Sequence, residues 1–270
     1  MPPTHIQRFE YIRDKKNIIS RNKLVNQQAD IRARFIDYET RFAHNTLAGI
    51  PASPLLAIKD ELRSCYGRNS GMKALQDAIE AAQEDGRLVW CPYCGITTPT
   101  SYDHYLPASE FPEFAAHALN IVPACAKCNS AKDDIWLTTG VRQFIHFYLD
   151  DIPVFPYLSV QLVADPLAQA VGAVFGLSQA GMPASIWAVM ESHFRRLKLI
   201  ERYNRQSNTL VNQALKVSKV YLDSGGHDAA LFLENLAADQ ANLFGSYDLR
   251  AVLWRAMSAD PDLPVWIGWL

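Results

Sequence analysis

The sequence predicts an α+β protein in which helices dominate, and three observations support this prediction. Apolar residues recur at helical spacing, without proline, over residues 5–46 and again over residues 184–258. Two runs rich in valine and leucine, at 157–165 and 170–178, are typical of strands. Four of the five cysteines lie within residues 91–128, between the first helical region and the two strand runs, and indicate a small segment held together by a metal.

The N-terminal region should consist of helices joined by short loops. Residues 5–46 contain neither glycine nor proline, so they predict one long helix, or two helices with a break near residue 20. The run AGIPASP at 48–54 predicts a loop. Further helices are predicted at 55–65 and at 71–85, the second ended by Gly86.

After the cysteines, the two predicted strands form a hairpin across Asp165 and Pro166. From residue 184 the helical pattern returns and continues to residue 258. Ser207 and Ser246 are predicted helix N-caps, since serine side chains accept hydrogen bonds from free backbone amides. The pair Gly225-Gly226 is expected to separate two of these helices.

Composition is typical of a folded protein. Hydrophobic residues make up 49% and charged residues 20% of the 270 positions, which disfavours disorder. The N-terminal residues lack the apolar core of a signal peptide. No apolar run reaches the roughly 18 residues that a membrane-spanning helix needs. We therefore expect a cytoplasmic protein without a membrane partner, in which thiols stay reduced.

Positive charge is concentrated in two regions, although the formal net charge is only −2. Residues 1–48 carry nine Lys or Arg against five Asp or Glu. Residues 191–219 carry seven against two, and they include Arg195, Arg196 and Arg202. Each region is either a solvated helix face or a face that contacts nucleic-acid phosphates.

The cysteines form two CxxC pairs, Cys91 with Cys94 and Cys125 with Cys128, separated by thirty residues. A two-residue spacing lets both thiolates of a pair reach one ion, and two such pairs complete a tetrahedral set of four sulfurs. Redox CxxC motifs normally act as a single pair, so the spacing favours structural Zn²⁺. Cys65 stands apart and is expected to be a buried small residue.

Polar residues accompany these cysteines in a recognisable order. CxxC is followed by DHYLP, then NIVPAC, then CNSAK, over residues 91–132. This order resembles that of the HNH endonucleases, in the variant whose third signature position is asparagine (H-N-N). The resemblance implies the ββα-metal fold of that family, stabilised by zinc. Together with the helical and strand patterns on either side, the resemblance predicts the domain organisation 1–88 (N-terminal helical region), 89–135 (nuclease core) and 136–270 (strands, then helices).

The resemblance also implies roles for individual residues. His104 is the general base for water attack on a phosphodiester, which suits a side chain that titrates near neutrality. Asp103 and Asn129 hold a catalytic Mg²⁺ or Mn²⁺, and Asn120 orients the loop that carries His104. Lys132, about one turn after Asn129, is a candidate phosphate contact.

The function expected from this resemblance is metal-dependent endonuclease activity, with DNA as the partner. Two alternatives stay open: a zinc-stabilised binding module without catalysis, and a nuclease directed at RNA. The flanking runs FIHFYLDDIP and HFRRLKLIERYN are similar to segments of bacterial anti-phage HNH proteins such as the Septu-type nuclease, which works beside an ATPase. That similarity implies a role in defence or restriction, with an ATPase as a possible partner.

Overall fold

A computed structural model describes residues 2–83, 86–151 and 155–270. The fold is α+β and mainly helical, as the sequence predicts. The chain divides into two units, Met1–Asp151 with Ala188–His193, and Ile152–Trp187 with Phe194–Leu270. The first unit thus combines the predicted N-terminal region with the cysteine segment.

Among the residues described before Cys91, five segments are α-helical. They are α1 (His5–Asp14), α2 (Ile18–Asn26), α3 (Gln28–Ala43), α4 (Lys59–Ser64) and α5 (Ser70–Ala81).

The stretch 5–46 forms three helices, where the sequence predicted one or two. Asn17 caps α2 by accepting a hydrogen bond from the Ser20 amide, and this local bond starts a new helix. The helix predicted at 71–85 ends at Ala81, before Gly86, which has a positive φ of 81° and opens the next turn. Residues 84–85 of that prediction lie outside the described part of the chain.

The core of the first unit is aromatic. Phe9, Phe35, Tyr38 and Phe114 are at most 1% exposed, and the rings of Tyr38 and Phe114 lie 4.7 Å apart. These rings join α1 and α3 to the short 3-10 turn Pro112–Phe114. The N-terminal helices therefore pack directly on the segment that follows the predicted catalytic motif.

A small hairpin and a helix follow the first cysteine pair. Strands β1 (Ser101–His104) and β2 (Ile121–Ala124) are antiparallel, with His104 opposite Ile121. Helix α6 (Ala126–Lys132) packs against β1. A second hairpin, β3 (Leu137–Thr138) with β4 (Val141–Arg142), completes the strands of this unit among the described residues.

The second unit pairs a hairpin with helices. Strands β5 (Leu158–Asp165) and β6 (Ala170–Leu177) are antiparallel and confirm the predicted hairpin. The helices are α7 (Ala184–Arg196), whose residues 188–193 belong to the first unit, α8 (Leu199–Asp223), α9 (Ala229–Phe244), α10 (Leu249–Ser258) and α11 (Leu263–Gly268).

Both predicted serine caps are wrong. Ser207 lies inside α8, where its hydroxyl donates to the Asn204 carbonyl. Helix α10 starts at Leu249, three residues beyond Ser246, because the Asp248 side chain accepts from the amides of Arg250 and Ala251. Across the described residues, none of the helices has both the length and the apolar composition needed to cross a bilayer.

Candidate functional site

The four cysteines of the two CxxC pairs converge on one point. Their sulfur atoms all lie within 4.8 Å of one another, and the Sγ atoms of Cys94 and Cys125 are 4.0 Å apart. Tetrahedral Zn²⁺ with bonds of about 2.3 Å places its sulfur ligands about 3.8 Å apart. All four side chains are at most 4% exposed. The cluster could therefore hold a structural metal such as zinc.

The backbone around the cysteines closes the turn between them and places amides that stabilise the thiolate form. The amides of Cys94 and Gly95 both donate to the Cys91 carbonyl, and Gly95 takes a positive φ of 63° that closes the turn. The amide of Cys125 donates to the Cys91 sulfur at 3.2 Å, and the amide of Cys128 donates to the Cys125 sulfur at 3.4 Å. Such bonds stabilise negative charge on sulfur, as metal binding requires.

Cys65 does not belong to the cluster. It is fully buried, and burial raises the pKa of its thiol to about 11. The thiol therefore stays protonated near neutral pH and packs as a small apolar residue, which confirms the prediction for this position.

An open cavity of about 740 Å³ lies beside the hairpin. Asp103 and His104 from β1 and Asn129 from α6 all line it. Helix α4 and the residue Tyr66 that follows it form another part of the wall. The packing of α6 on β1 brings together three residues that the sequence predicted to act jointly.

His104 is fixed in one tautomer. Its Nε2 lies 2.9 Å from the Ala115 carbonyl oxygen, which can only accept, so Nε2 carries the proton and Nδ1 keeps a lone pair. Burial lowers the pKa of the imidazole, while the bond to Ala115 opposes that shift. The rings of His104 and Tyr66 pack in an edge-to-face arrangement, with their centroids 4.4 Å apart. Neutral His104 is therefore able to accept a proton at Nδ1.

One carboxylate oxygen of Asp103 is engaged by neighbouring side chains. Its Oδ2 accepts a hydrogen bond from the Tyr93 hydroxyl at 2.7 Å and lies 3.2 Å from the Nζ of Lys132. The side chain is 3% exposed and still borders the cavity. Oδ1 is the oxygen left for a ligand.

The two asparagines have different surroundings. Asn129 donates through Nδ2 to the Ser101 hydroxyl and to the Tyr102 carbonyl, both at 3.2 Å, which leaves its Oδ1 as a possible ligand atom. Asn120 is fully buried. Its Oδ1 accepts from the Leu106 amide, and its Nδ2 donates to the carbonyls of Leu106 and Phe114. These bonds join the two ends of the loop that starts after His104.

The predicted phosphate contacts are placed differently from the expectation. Lys132 is fully buried, and its Nζ donates to the His104 carbonyl at 2.8 Å, so it does not present a charge to solvent. Arg202 is 6% exposed and contacts the Leu197 carbonyl, which removes it from any surface face. Arg195 is exposed and Arg196 is partly exposed. Burial thus argues against Lys132 and against Arg202 as phosphate contacts, whereas phosphate binding by Arg195 and Arg196 stays a prediction.

Sequence reasoning missed the contribution of α4. Arg63 lies on this helix and Tyr66 just after it, about forty residues before His104 in the chain, yet both line the same cavity. No motif marks them, because their position depends on how α4 packs against the turn Pro112–Phe114.

Comparison with known proteins adds one short likeness. No protein-family model matches the chain, and no solved structure matches it. A segment of 62 residues is 40% identical to Protein ea31 of Escherichia phage lambda, spanning 22% of this chain and 21% of that protein. The chain thus covers about a fifth of the length of this relative, which is too little to show a family.

Proposed function

We propose that this protein is a metal-dependent endonuclease of the HNH type that hydrolyses DNA phosphodiesters. The supporting observation is that Asp103, His104 and Asn129 border one cavity, on a hairpin and helix stapled by four cysteines. A binding module would need only the cysteines. A proton acceptor beside two oxygen donors is instead what phosphodiester hydrolysis requires.

His104 is the general base in this proposal. Its Nδ1 accepts the proton of a water molecule, and the water oxygen bonds to phosphorus as the bond from phosphorus to the 3′ oxygen breaks. The products are a 5′-phosphate and a 3′-hydroxyl, the latter taking its proton from solvent. The bond from Nε2 to the Ala115 carbonyl holds the ring in place and stabilises the imidazolium that forms.

The free oxygens of Asp103 and Asn129 fit a hard divalent cation such as Mg²⁺ or Mn²⁺. Such an ion, when bound, stabilises charge on the phosphate and on the departing oxygen. Tyr93 and Lys132 fix Oδ2 of Asp103, and Ser101 fixes the amide of Asn129, so each side chain keeps one oxygen for this purpose.

The test is cleavage of supercoiled, linear and single-stranded DNA and of RNA, with Mg²⁺ or Mn²⁺. We expect His104→Ala to lose roughly 10²- to 10⁴-fold in rate, as is usual when a general base is removed, without recovery at high Mn²⁺. Asp103→Ala and Asn129→Ala should also be nearly inactive, and higher Mn²⁺ should restore part of their activity because they hold the ion.

The exposed His227 offers a matched control, since it lies in the second unit. His227→Ala should cut like the parent protein, and all variants should keep their cysteine-bound metal. Equal cleavage by His104→Ala and the parent would refute the proposal. The role in anti-phage defence and the ATPase partner stay predictions from the sequence, best examined by repeating the assay with products of neighbouring genes.

A further inference from the structure

The cavity has an unbalanced charge. Four carboxylates line it, those of Asp60, Asp103, Asp133 and Asp134. Among the described residues that line the cavity, Arg63 is the one Lys or Arg. A phosphodiester is an anion, so it meets repulsion here unless cations offset the carboxylates. One divalent ion at Asp103 and Asn129 would neutralise part of this charge, and Arg63 is the protein group able to add to it.

Lys132 cannot take this part, although it is close in the chain to Asn129. Its ammonium group is fully buried and is engaged by the Asp103 carboxylate and by the His104 carbonyl. Binding a phosphate would require breaking both contacts. Lys132 therefore stabilises the hairpin through these buried contacts, whereas Arg63 lines the cavity.

The backbone under Arg63 is held firmly. Leu62 and Cys65, on either side of it in the chain, are at most 1% exposed. The ammonium group of Lys16 donates to the Ser64 carbonyl at 2.7 Å. Tyr66, the residue after Cys65, donates a hydrogen bond from its hydroxyl to the carbonyl of Tyr102 on β1, next to Asp103, at 3.3 Å. These contacts therefore position the backbone of Arg63 next to β1, the strand that carries His104.

The guanidinium itself is available. Arg63 is exposed, and no hydrogen bond or ion pair of its side chain occurs with any residue that the structure describes. Two acidic residues of this region are engaged elsewhere, since Glu61 pairs with Lys23 and the buried Glu113 pairs with Arg34 at 2.7 Å. Asp60, on the same helix and also lining the cavity, forms no ion pair with Arg63 within the part of the chain that the structure describes. Because Arg63 pairs with none of the described carboxylates that line the cavity, its guanidinium is free to bind an anionic ligand.

From these observations we infer that Arg63 binds the non-bridging oxygens of the phosphate that reacts at His104. The inference rests on the proposed nuclease function and deepens it, because it assigns substrate recognition to the N-terminal helical region outside the motif. A guanidinium presents two parallel N–H donors that match two phosphate oxygens, which lysine cannot reproduce.

The test is single-turnover DNA cleavage with protein in saturating excess, for Arg63→Gln and Arg63→Lys. We expect Arg63→Gln to slow the saturated rate roughly 10- to 100-fold, the effect of losing charged hydrogen bonds to the reacting group. Arg63→Lys should fall between Arg63→Gln and the parent. Arg68, exposed and five residues along the chain, is the matched control, and Arg68→Gln should react at the parent rate.

Two results would overturn the inference. If Arg63→Gln reaches the parent rate once protein is saturating, Arg63 contributes affinity alone and does not touch the reacting phosphate. If Arg68→Gln slows the reaction as much as Arg63→Gln, general positive charge explains both. Metal content and circular dichroism identify any misfolded variant, and Arg63→Lys, which keeps the charge, then decides the question.

The failure of the proposed function would look different. It would appear as a parent protein that cuts no nucleic acid, or as unchanged cleavage by His104→Ala. Loss of cleavage in His104→Ala together with parent-like saturated cleavage in Arg63→Gln would leave the nuclease intact and refute only the role of Arg63.

Discussion

The substitution Lys132→Met tests whether this lysine stabilises the fold or binds phosphate. The ammonium group is buried, 3.2 Å from Oδ2 of Asp103 and 2.8 Å from the His104 carbonyl oxygen. Breaking a buried ion pair by removing one partner costs about 3–5 kcal/mol. Asp103 keeps the hydrogen bond from Tyr93 and borders the cavity, so the lower end, about 3 kcal/mol, is expected. Methionine retains the packing of the lysine stem.

The assay is urea unfolding of the metal-loaded protein. With a slope of about 2 kcal/mol per molar urea, a loss of about 3 kcal/mol lowers the midpoint by about 1.5 M. Lys127→Met is the matched control on the same helix, because Lys127 is exposed, and it should change stability by less than about 0.5 kcal/mol. The reasoning is refuted if Lys132→Met unfolds like the parent while the salt dependence of its DNA binding becomes shallower, as loss of a phosphate contact would produce.

Two further predictions concern stability of the first unit. Asn120→Ala should cost about 3 kcal/mol, since it leaves the buried amide and carbonyl of Leu106 without their partner; urea unfolding beside the exposed control Asn26→Ala measures this, and equal midpoints would contradict it. Burial lowers the pKa of His117 to about 4 from an ordinary value of 6.5, so the unfolded chain takes up this proton first as the pH falls. Stability from this group should therefore be complete above pH 6.5 and decrease by about 3 kcal/mol towards pH 4. His117→Gln should flatten this part of the pH profile, and an unchanged slope would show that other groups control it.

Prediction from sequence succeeded where the signal was local. The hairpin of β5 and β6 follows from two alternating runs joined by a turn, which need no distant partner. The four cysteines converge because two residues separate the members of each pair and one hairpin lies between the pairs. Asp103, His104 and Asn129 line one cavity for the same reason, since β1, β2 and α6 are consecutive in the chain.

Prediction failed where competing local signals decided the outcome. Serine at 207 and 246 is a plausible cap, but Ser207 falls within the long apolar face of α8, and Asp248 caps α10 with two amide bonds. In the stretch 5–46, one of the two breaks falls at Asn17, whose side chain offers the backbone an alternative to a continuous helix.

The sequence by itself thus predicted the fold class, the cysteine cluster and the grouping of Asp103, His104 and Asn129. Only the tertiary structure decided that Lys132 and Arg202 are buried and that Arg63 and Tyr66 line the cavity. The physical reason is that spacing along a helix or strand is set by local backbone geometry. Whether a given charge faces solvent, a carboxylate or a cavity depends instead on what packs against it, and for α4 that neighbour lies about fifty residues away in the chain.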